Sequence, residues 1–277
     1  MSKDIKVEHL AKRFGATSVL SDVSFELTSG VTVLLGENGQ GKSTLLRCLL
    51  GLLKPDGGAM RVLGLDPIRE GRALRELVGY VPDAFDNPPW MTPRELYAFL
   101  APQYSRWDGA RVERLAREWE IPLSQPFKHL SRGQAARALL VAALGQSPQL
   151  LLLDECFAGL DPLARRDLLA GFLTELSERE IPTLAVTHDL DVAARIAEHV
   201  LVLSGGRIQR HGTLEEVLKT EEEPARVASG LLGLLERVHG EEVAALARFA
   251  CTCCANGASI GSRCSPWPWP CPARRRS

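Results

Sequence analysis

Val31 to Leu53 reads VTVLLGENGQGKSTLLRCLLGLL. An apolar run rich in β-branched residues is followed by a glycine-punctuated turn and then by apolar positions at helical spacing, which predicts strand, loop and helix in that order. The middle of the stretch, Gly36-Glu37-Asn38-Gly39-Gln40-Gly41-Lys42-Ser43, fits GxxxxGK[ST]. Such a match carries meaning where it joins a strand to a helix, as here. Gly36, Gly39 and Gly41 permit the turns and the close approach by which backbone N–H groups wrap phosphates, and the helix N-terminus adds its positive end. Lys42 then reaches the β and γ phosphates and Ser43 ligates Mg²⁺. A chance glycine-rich turn is the alternative, and the flanking strand and helix weigh against it.

Working outward, Gln149 to Leu153 and Thr183 to Thr187 are short, nearly continuous apolar runs, as parallel strands covered on both faces require. Val200 to Ser204 and Arg207 to Gln209 read as two strands joined through Gly205-Gly206, which accept positive φ. Ile5 to Leu10 and Val23 to Leu27 are further strand candidates. Between about Pro82 and Gly145 the strand signal vanishes and helical patterns take over, including Pro93 to Leu100 and Arg111 to Glu118, with Asp108 as a cap. A helical subdomain at about 84–146, set within an α/β core, is therefore expected.

Composition bounds the possibilities. The chain has 277 residues, 45% hydrophobic and 24% charged, with Lys+Arg 33 against Asp+Glu 34 and a net charge of -1. That is the profile of an ordinary globular chain without a basic nucleic-acid surface, so no nucleic-acid partner is expected. No run approaches the ~20 apolar residues of a membrane-spanning helix. Met1 to Leu10 is charged and lacks the apolar stretch of a secretory signal, which predicts a cytoplasmic chain. Of the seven cysteines, Cys251, Cys253, Cys254, Cys264 and Cys271 crowd into the final stretch, which is no disulfide framework for a whole fold.

Leu150 to Glu155 ends an apolar strand in two adjacent carboxylates, at the sheet edge where open α/β folds place their ligands. Asp154 can hold the Mg²⁺ shell and Glu155 can polarise a water; alone, the pair reads equally well as acidic residues opening a loop. Leu130-Ser131-Arg132-Gly133-Gln134 then leads straight into the helical run Ala135 to Leu144. Serine and glycine at a helix N-terminus form a second anion site, or simply a helix cap.

The three motifs, in this order and spacing, resemble those of ABC-type ATPases, and the resemblance extends as far as Gly212. It implies an α/β P-loop NTPase (RecA-like) core with an N-terminal antiparallel β portion and an inserted α-helical subdomain. It also implies ATP and Mg²⁺ as cofactors. The resemblance puts Phe14 where an aromatic ring stacks on adenine, Asp161 in the loop linking the two sites of a dimer, and His188 in the place of a switch histidine touching the γ-phosphate. The nucleotide set it implies is Phe14, Gly36, Glu37, Asn38, Gly39, Gln40, Gly41, Lys42, Ser43, Thr44, Ser131, Gly133, Gln134 and Asp161. Lys42, Glu155 and His188 are the expected catalytic residues, and Ser43, Asp83 and Asp154 the metal set. Three positions depart from the family pattern. Asp83 replaces the usual glutamine, Arg132 the first glycine of the signature pair, and Cys156 the proline after the catalytic glutamate.

The resemblance further implies a dimer of two ATP-binding subunits, most simply identical, docked on separate integral membrane permease subunits at the cytoplasmic face of the cell membrane. Phe85, Pro88, Pro89 and Trp90 are candidates for the docking surface or for burial inside the subdomain. A single nucleotide domain without a long accessory domain favours export over import. The alternatives are a non-transport ABC ATPase and a regulatory nucleotide switch; retention of Glu155 and His188 weighs against the latter. Residues 1–220 are expected to form the ATP-binding domain and 221–250 a helical extension. Residues 251–277 are expected to form a disordered tail, with an aberrant terminus and a metal-binding or thiol-reactive tail as alternatives.

Overall fold

The computed structural model describes residues 4–83, 88–213 and 216–217. Phe85, the expected extension at 221–250 and the tail at 251–277 lie outside the described residues. The described residues fall within one unit, Met1–Glu221.

The long hairpin β1 (Ile5–Phe14) and β2 (Thr17–Leu27) turns at Gly15, and β4 (Gly57–Val62) pairs with the outer side of β1, so these three strands run antiparallel. The centre of the sheet is parallel: β3 (Val31–Leu35), β7 (Thr183–Thr187), β6 (Leu150–Asp154) and β5 (Val78–Val81). On the other side of β3 lies β8 (His199–Ser204), also parallel, which turns through Gly205 and Gly206 at φ 58 and 73 into antiparallel β9 (Arg207–Gly212). Among the described residues this makes one nine-stranded sheet in the order β4-β1-β2-β9-β8-β3-β7-β6-β5.

Every residue of β3, β6 and β7 is buried, which is why their sequences are continuous apolar runs and do not alternate. One face packs on α1 (Lys42–Leu49): Leu34, Leu152, Leu184 and Val186 join Leu45, Leu46 and Leu49 in a single cluster. The strand residues between them, Val33, Leu35, Leu151, Leu153 and Ala185, are equally buried on the opposite face.

Helices carry their own start signals. Thr92 caps α3 (Pro93–Leu100) in a capping box with Glu95, and Asp108 caps α4 (Gly109–Glu118). Ser131 and Gln134 form a second capping box on α5 (Arg132–Gly145). Asp161 caps α6 (Pro162–Arg179) and Asp189 caps α7 (Leu190–Ile196). No described residue between Pro82 and Gln146 is in a strand. A buried ion cluster fastens α4 to α6. Arg111 donates to Glu175 Oε2 from Nε at 3.0 Å and Nη2 at 2.7 Å, and from Nη1 to the Leu144 carbonyl at 3.0 Å, while Arg114 reaches Glu175 Oε1 at 2.6 Å.

The helix α2 (Gly71–Leu77) and strands β4 and β5 add to the sequence expectation. β5 has only four residues, Val-Gly-Tyr-Val, too few for a period to show; β4 lies at the sheet edge with half its residues in solvent.

Candidate active site

Strand register brings the site together. Leu35 on β3 lies opposite Thr187 on β7, Asp154 on β6 lies opposite Val186, and Val81 on β5 lies opposite Leu153. The segments leaving these ends, 36–41, Glu155 onward, His188 onward and Pro82-Asp83, therefore emerge along one sheet edge.

The loop 36–41 turns tightly into α1. Gly41, the N-cap, has φ 95, and a Cβ there would stand 2.8 Å from Val19 Cγ1. A Cβ on Gly36 would meet the Leu203 carbonyl oxygen at 2.6 Å, so any larger residue would push the loop off β8. Glu37, Asn38 and Gly39 are exposed, Gln40 accepts from the Gly205 amide at 2.9 Å, and Ser43 and Thr44 are half-buried in the first turn of α1. Lys42 is buried at 6% exposure. Its Nζ donates to the carbonyls of Gly36 at 2.5 Å and Glu37 at 3.1 Å and stands 3.5 Å from Glu155 Oε1.

Glu155 has φ 50, a left-handed conformation uncommon for a side chain of its size. Its amide donates to the Val186 carbonyl at 3.0 Å, fixing the turn to β7. Oε1 lies 2.9 Å from His188 Nδ1, while Oε2 is buried without a partner among the described residues. Asp154, 3% exposed, bonds the Ser43 side chain with one carboxylate oxygen and leaves Oδ1 buried and unpaired. Burial pushes its carboxyl above the ordinary value, and the charges of Asp83 and Glu155 add to this against Ser43 and Lys42. Burial likewise holds the Tyr80 phenol up at about 12 and the Cys156 thiol well above its usual value, which makes Cys156 a packing residue.

Two buried carboxylate oxygens without partners are costly unless something supplies positive charge or a proton. The donor set fits Mg²⁺, which is bound through one or two carboxylates together with phosphate oxygens and water. No described group of three or more His, Cys, Asp or Glu stands ready to cage a metal. Ser43 and Asp154 would hold the ion, with Asp83 half exposed beside them.

The remaining expected residues gather differently. Ser131 is exposed, and its Oγ accepts from the Gln134 amide at 3.2 Å, while Gln134 Oε1 accepts from the Ser131 amide at 2.9 Å. A Cβ on Gly133 would find Ala164 and Leu160 in ordinary contact, so this helix start lies against the loop bearing Asp161, whose own Oδ1 is engaged with the Ala164 amide. Phe14 is 50% exposed with Lys12 Nζ 5.5 Å from its ring centre. Two residues that sequence reasoning left without a role sit among these segments: Arg165 and Asp189, joined at 2.5 Å. Asp189 follows His188 and caps a helix, a signal legible in the sequence; Arg165 offers none.

Residues 20–158 match the ABC transporter family. The sulfate/thiosulfate import ATP-binding protein CysA of Nocardia farcinica is 35% identical over 246 residues, 86% of this chain and 73% of that one. CysA 2 of Chromobacterium violaceum is 37% identical over 79% of this chain and 61% of its own length. A probable sulfate/thiosulfate import ATP-binding protein CysA of Chlorella vulgaris is 37% identical over 77% of this chain and 92% of its own. The chain thus spans between three fifths and nine tenths of these curated relatives. Among solved structures, an ATP-binding subunit of an ABC transporter superposes with TM-score 0.69 at 29% identity, covering 83% of this chain and 93% of that one. A dimeric bacterial ABC transporter cassette superposes with TM-score 0.66 at 25% identity over 76% and 98%. The chain belongs to the ABC transporter family, as an ATP-binding subunit of the kind that couples ATP hydrolysis to transport.

Proposed function

We propose that this chain binds Mg²⁺·ATP at the edge described above and hydrolyses it to drive a substrate through separate membrane subunits. The observation that carries the reading is the convergence on Glu155. One carboxylate oxygen meets His188 at 2.9 Å and Lys42 at 3.5 Å, and the other is buried and free to accept from a water. Phosphoryl transfer of this kind rests on positioning and electrostatics. Lys42, held on the loop carbonyls, turns to the β and γ phosphates; Glu155 takes the proton of the attacking water; His188 steadies the carboxylate and the γ-phosphate. Mg²⁺, when bound, neutralises charge on the phosphate oxygens. Gly36, Glu37, Asn38, Gly39, Gln40, Gly41, Ser43 and Thr44 wrap the phosphates, and Phe14 offers its open ring face to adenine.

One chain supplies half of each site. In a two-fold dimer, Lys42, Ser43, Asp154, Glu155 and His188 of one protomer face Ser131, Gly133 and Gln134 of its partner, with Asp161 between the sites. ATP favours the closed pair, and phosphate release removes the bridge, so nucleotide state becomes subunit separation. No described helix is long and apolar enough to cross a membrane. Family membership supports a peripheral subunit on the cytoplasmic face, docked on its permease through the helical region that carries the exposed Trp90 and Phe99.

The export expected from the sequence has no support among the relatives, so the direction of transport is open to test. The relatives' names support a second reading, import of a sulfate-class oxyanion. Uptake against release of labelled sulfate in vesicles bearing the permease separates the two. For the hydrolytic reading, Glu155→Gln lowers turnover on the order of 10² to 10⁴-fold with ATP affinity retained. Unchanged turnover overturns the role of Glu155.

A further inference from the structure

Arg165 lies in the first turn of α6, and its guanidinium faces two segments at once. Nη1 donates to Asp189 Oδ2 at 2.5 Å, Nη2 to the Leu160 carbonyl at 3.4 Å, and Nε is buried without an acceptor among the described residues. The pair is well enclosed, with side chains 24% and 17% exposed. Asp189 is fixed from its other side: Oδ1 accepts from the amides of Asp191 and Val192, and its own amide donates to Thr187 Oγ1. The preceding residue is His188, on Glu155. A continuous path therefore runs from Leu160, beside Asp161, through Arg165 and Asp189 to His188 and Glu155.

We propose that Arg165 is a positioning residue for hydrolysis, holding the turn that bears His188 and the loop Gly159-Leu160-Asp161 in one register so that they move together. The proposal rests on the roles given above to Glu155 and His188. A guanidinium suits the task because its planar fork serves two acceptors in fixed directions, where an ammonium is a single point charge. Asp189 keeps its capping bonds through Oδ1 when Arg165 is lost, so α7 persists while its anchor to α6 goes.

The test compares the full chain with Arg165→Met, Arg165→Lys, Asp189→Asn and the double variant Arg165→Met/Asp189→Asn. Amide hydrogen exchange on the nucleotide-free chain is expected to rise about tenfold in 159–161 and in 187–192 together in Arg165→Met, with β3 and β6 unchanged. The kcat falls about tenfold at a KM within about twofold, Arg165→Lys recovers part of both effects, and the double variant is no worse than either single one. Asp189→Asn keeps a good cap residue and carries the comparison if Arg165→Met fails to fold. Faster exchange confined to one segment, or a raised KM at unchanged kcat, overturns the proposal. A parent chain whose turnover survives Glu155→Gln instead overturns the role of Glu155 on which the kinetic comparison rests, and the exchange result still decides whether Arg165 joins the two segments.

Discussion

Arg132 Nη2 stands 3.5 Å from Asp83 Oδ1, so two positions that depart from the family pattern, far apart in the chain, meet as an ion pair. The guanidinium also rests beside Gly159. A cation in the first turn of α5 opposes the helix dipole, and Asp83 offsets it. Both side chains are about half exposed, 51% and 52%, so the pair contributes less than about 1 kcal/mol to the fold. Its effect belongs to the charge beside the nucleotide. Arg132→Gly leaves Asp83 unbalanced near Asp154, and ATP affinity without divalent ion falls about threefold at low salt, the order expected of one unit charge acting through a wet site. Asp83→Gln moves affinity the other way. Both differences fade in 1 M salt, where the screening length is about 3 Å. Nucleotide titrations at the two ionic strengths check this, and salt-independent differences would show the effect is not electrostatic.

Asp154 illustrates a site held ready at a cost. Its Oδ1 is buried and unpaired, and burial disfavours its charge. Asp154→Asn is expected to stabilise the nucleotide-free chain by about 1 kcal/mol. The same change removes the further stabilisation that Mg²⁺·ATP gives the parent. Thermal melts with and without Mg²⁺·ATP measure both quantities. A variant less stable than the parent without nucleotide, yet still stabilised by Mg²⁺·ATP, contradicts the metal role.

Legibility followed the range of the signal. Val31–Leu35, the loop to Ser43 and Thr183–Thr187 were plain in the sequence because buried parallel strands and a glycine loop write their constraints into adjacent residues. Asp108 and Ser131 announce helices for the same local reason. The short β5 and the edge strand β4 carry no period of their own and exist because β6 and β1 offer ladders. The bond of Arg165 to Asp189 and that of Arg132 to Asp83 join residues far apart in sequence, and nothing local in either residue names its partner. Family resemblance located His188; its approach to Glu155 came only with the fold.

The buried cluster at Glu175 sets a pH dependence whose sign follows from its partners. Arg111 and Glu175 are 3% and 2% exposed. Burial alone pushes the Glu175 carboxyl up, but the hydrogen bonds and charges of Arg114 and Arg111 outweigh it and hold it below the ordinary range. A carboxyl lower in the folded chain than in the unfolded one contributes fully above the unfolded value of about 4.3, and the contribution is lost as pH falls through the folded value. Glu175→Gln leaves Arg111 buried without its counter-charge and costs about 3 kcal/mol at pH 7. Arg114 has a side chain 40% exposed, so Arg114→Ala costs only about 0.5 kcal/mol. Urea midpoints of the parent and Glu175→Gln should therefore lie far apart at pH 7 and draw together toward pH 3. A gap of constant size across that range would assign the loss to packing, leaving the ion cluster no part in fastening α4 to α6.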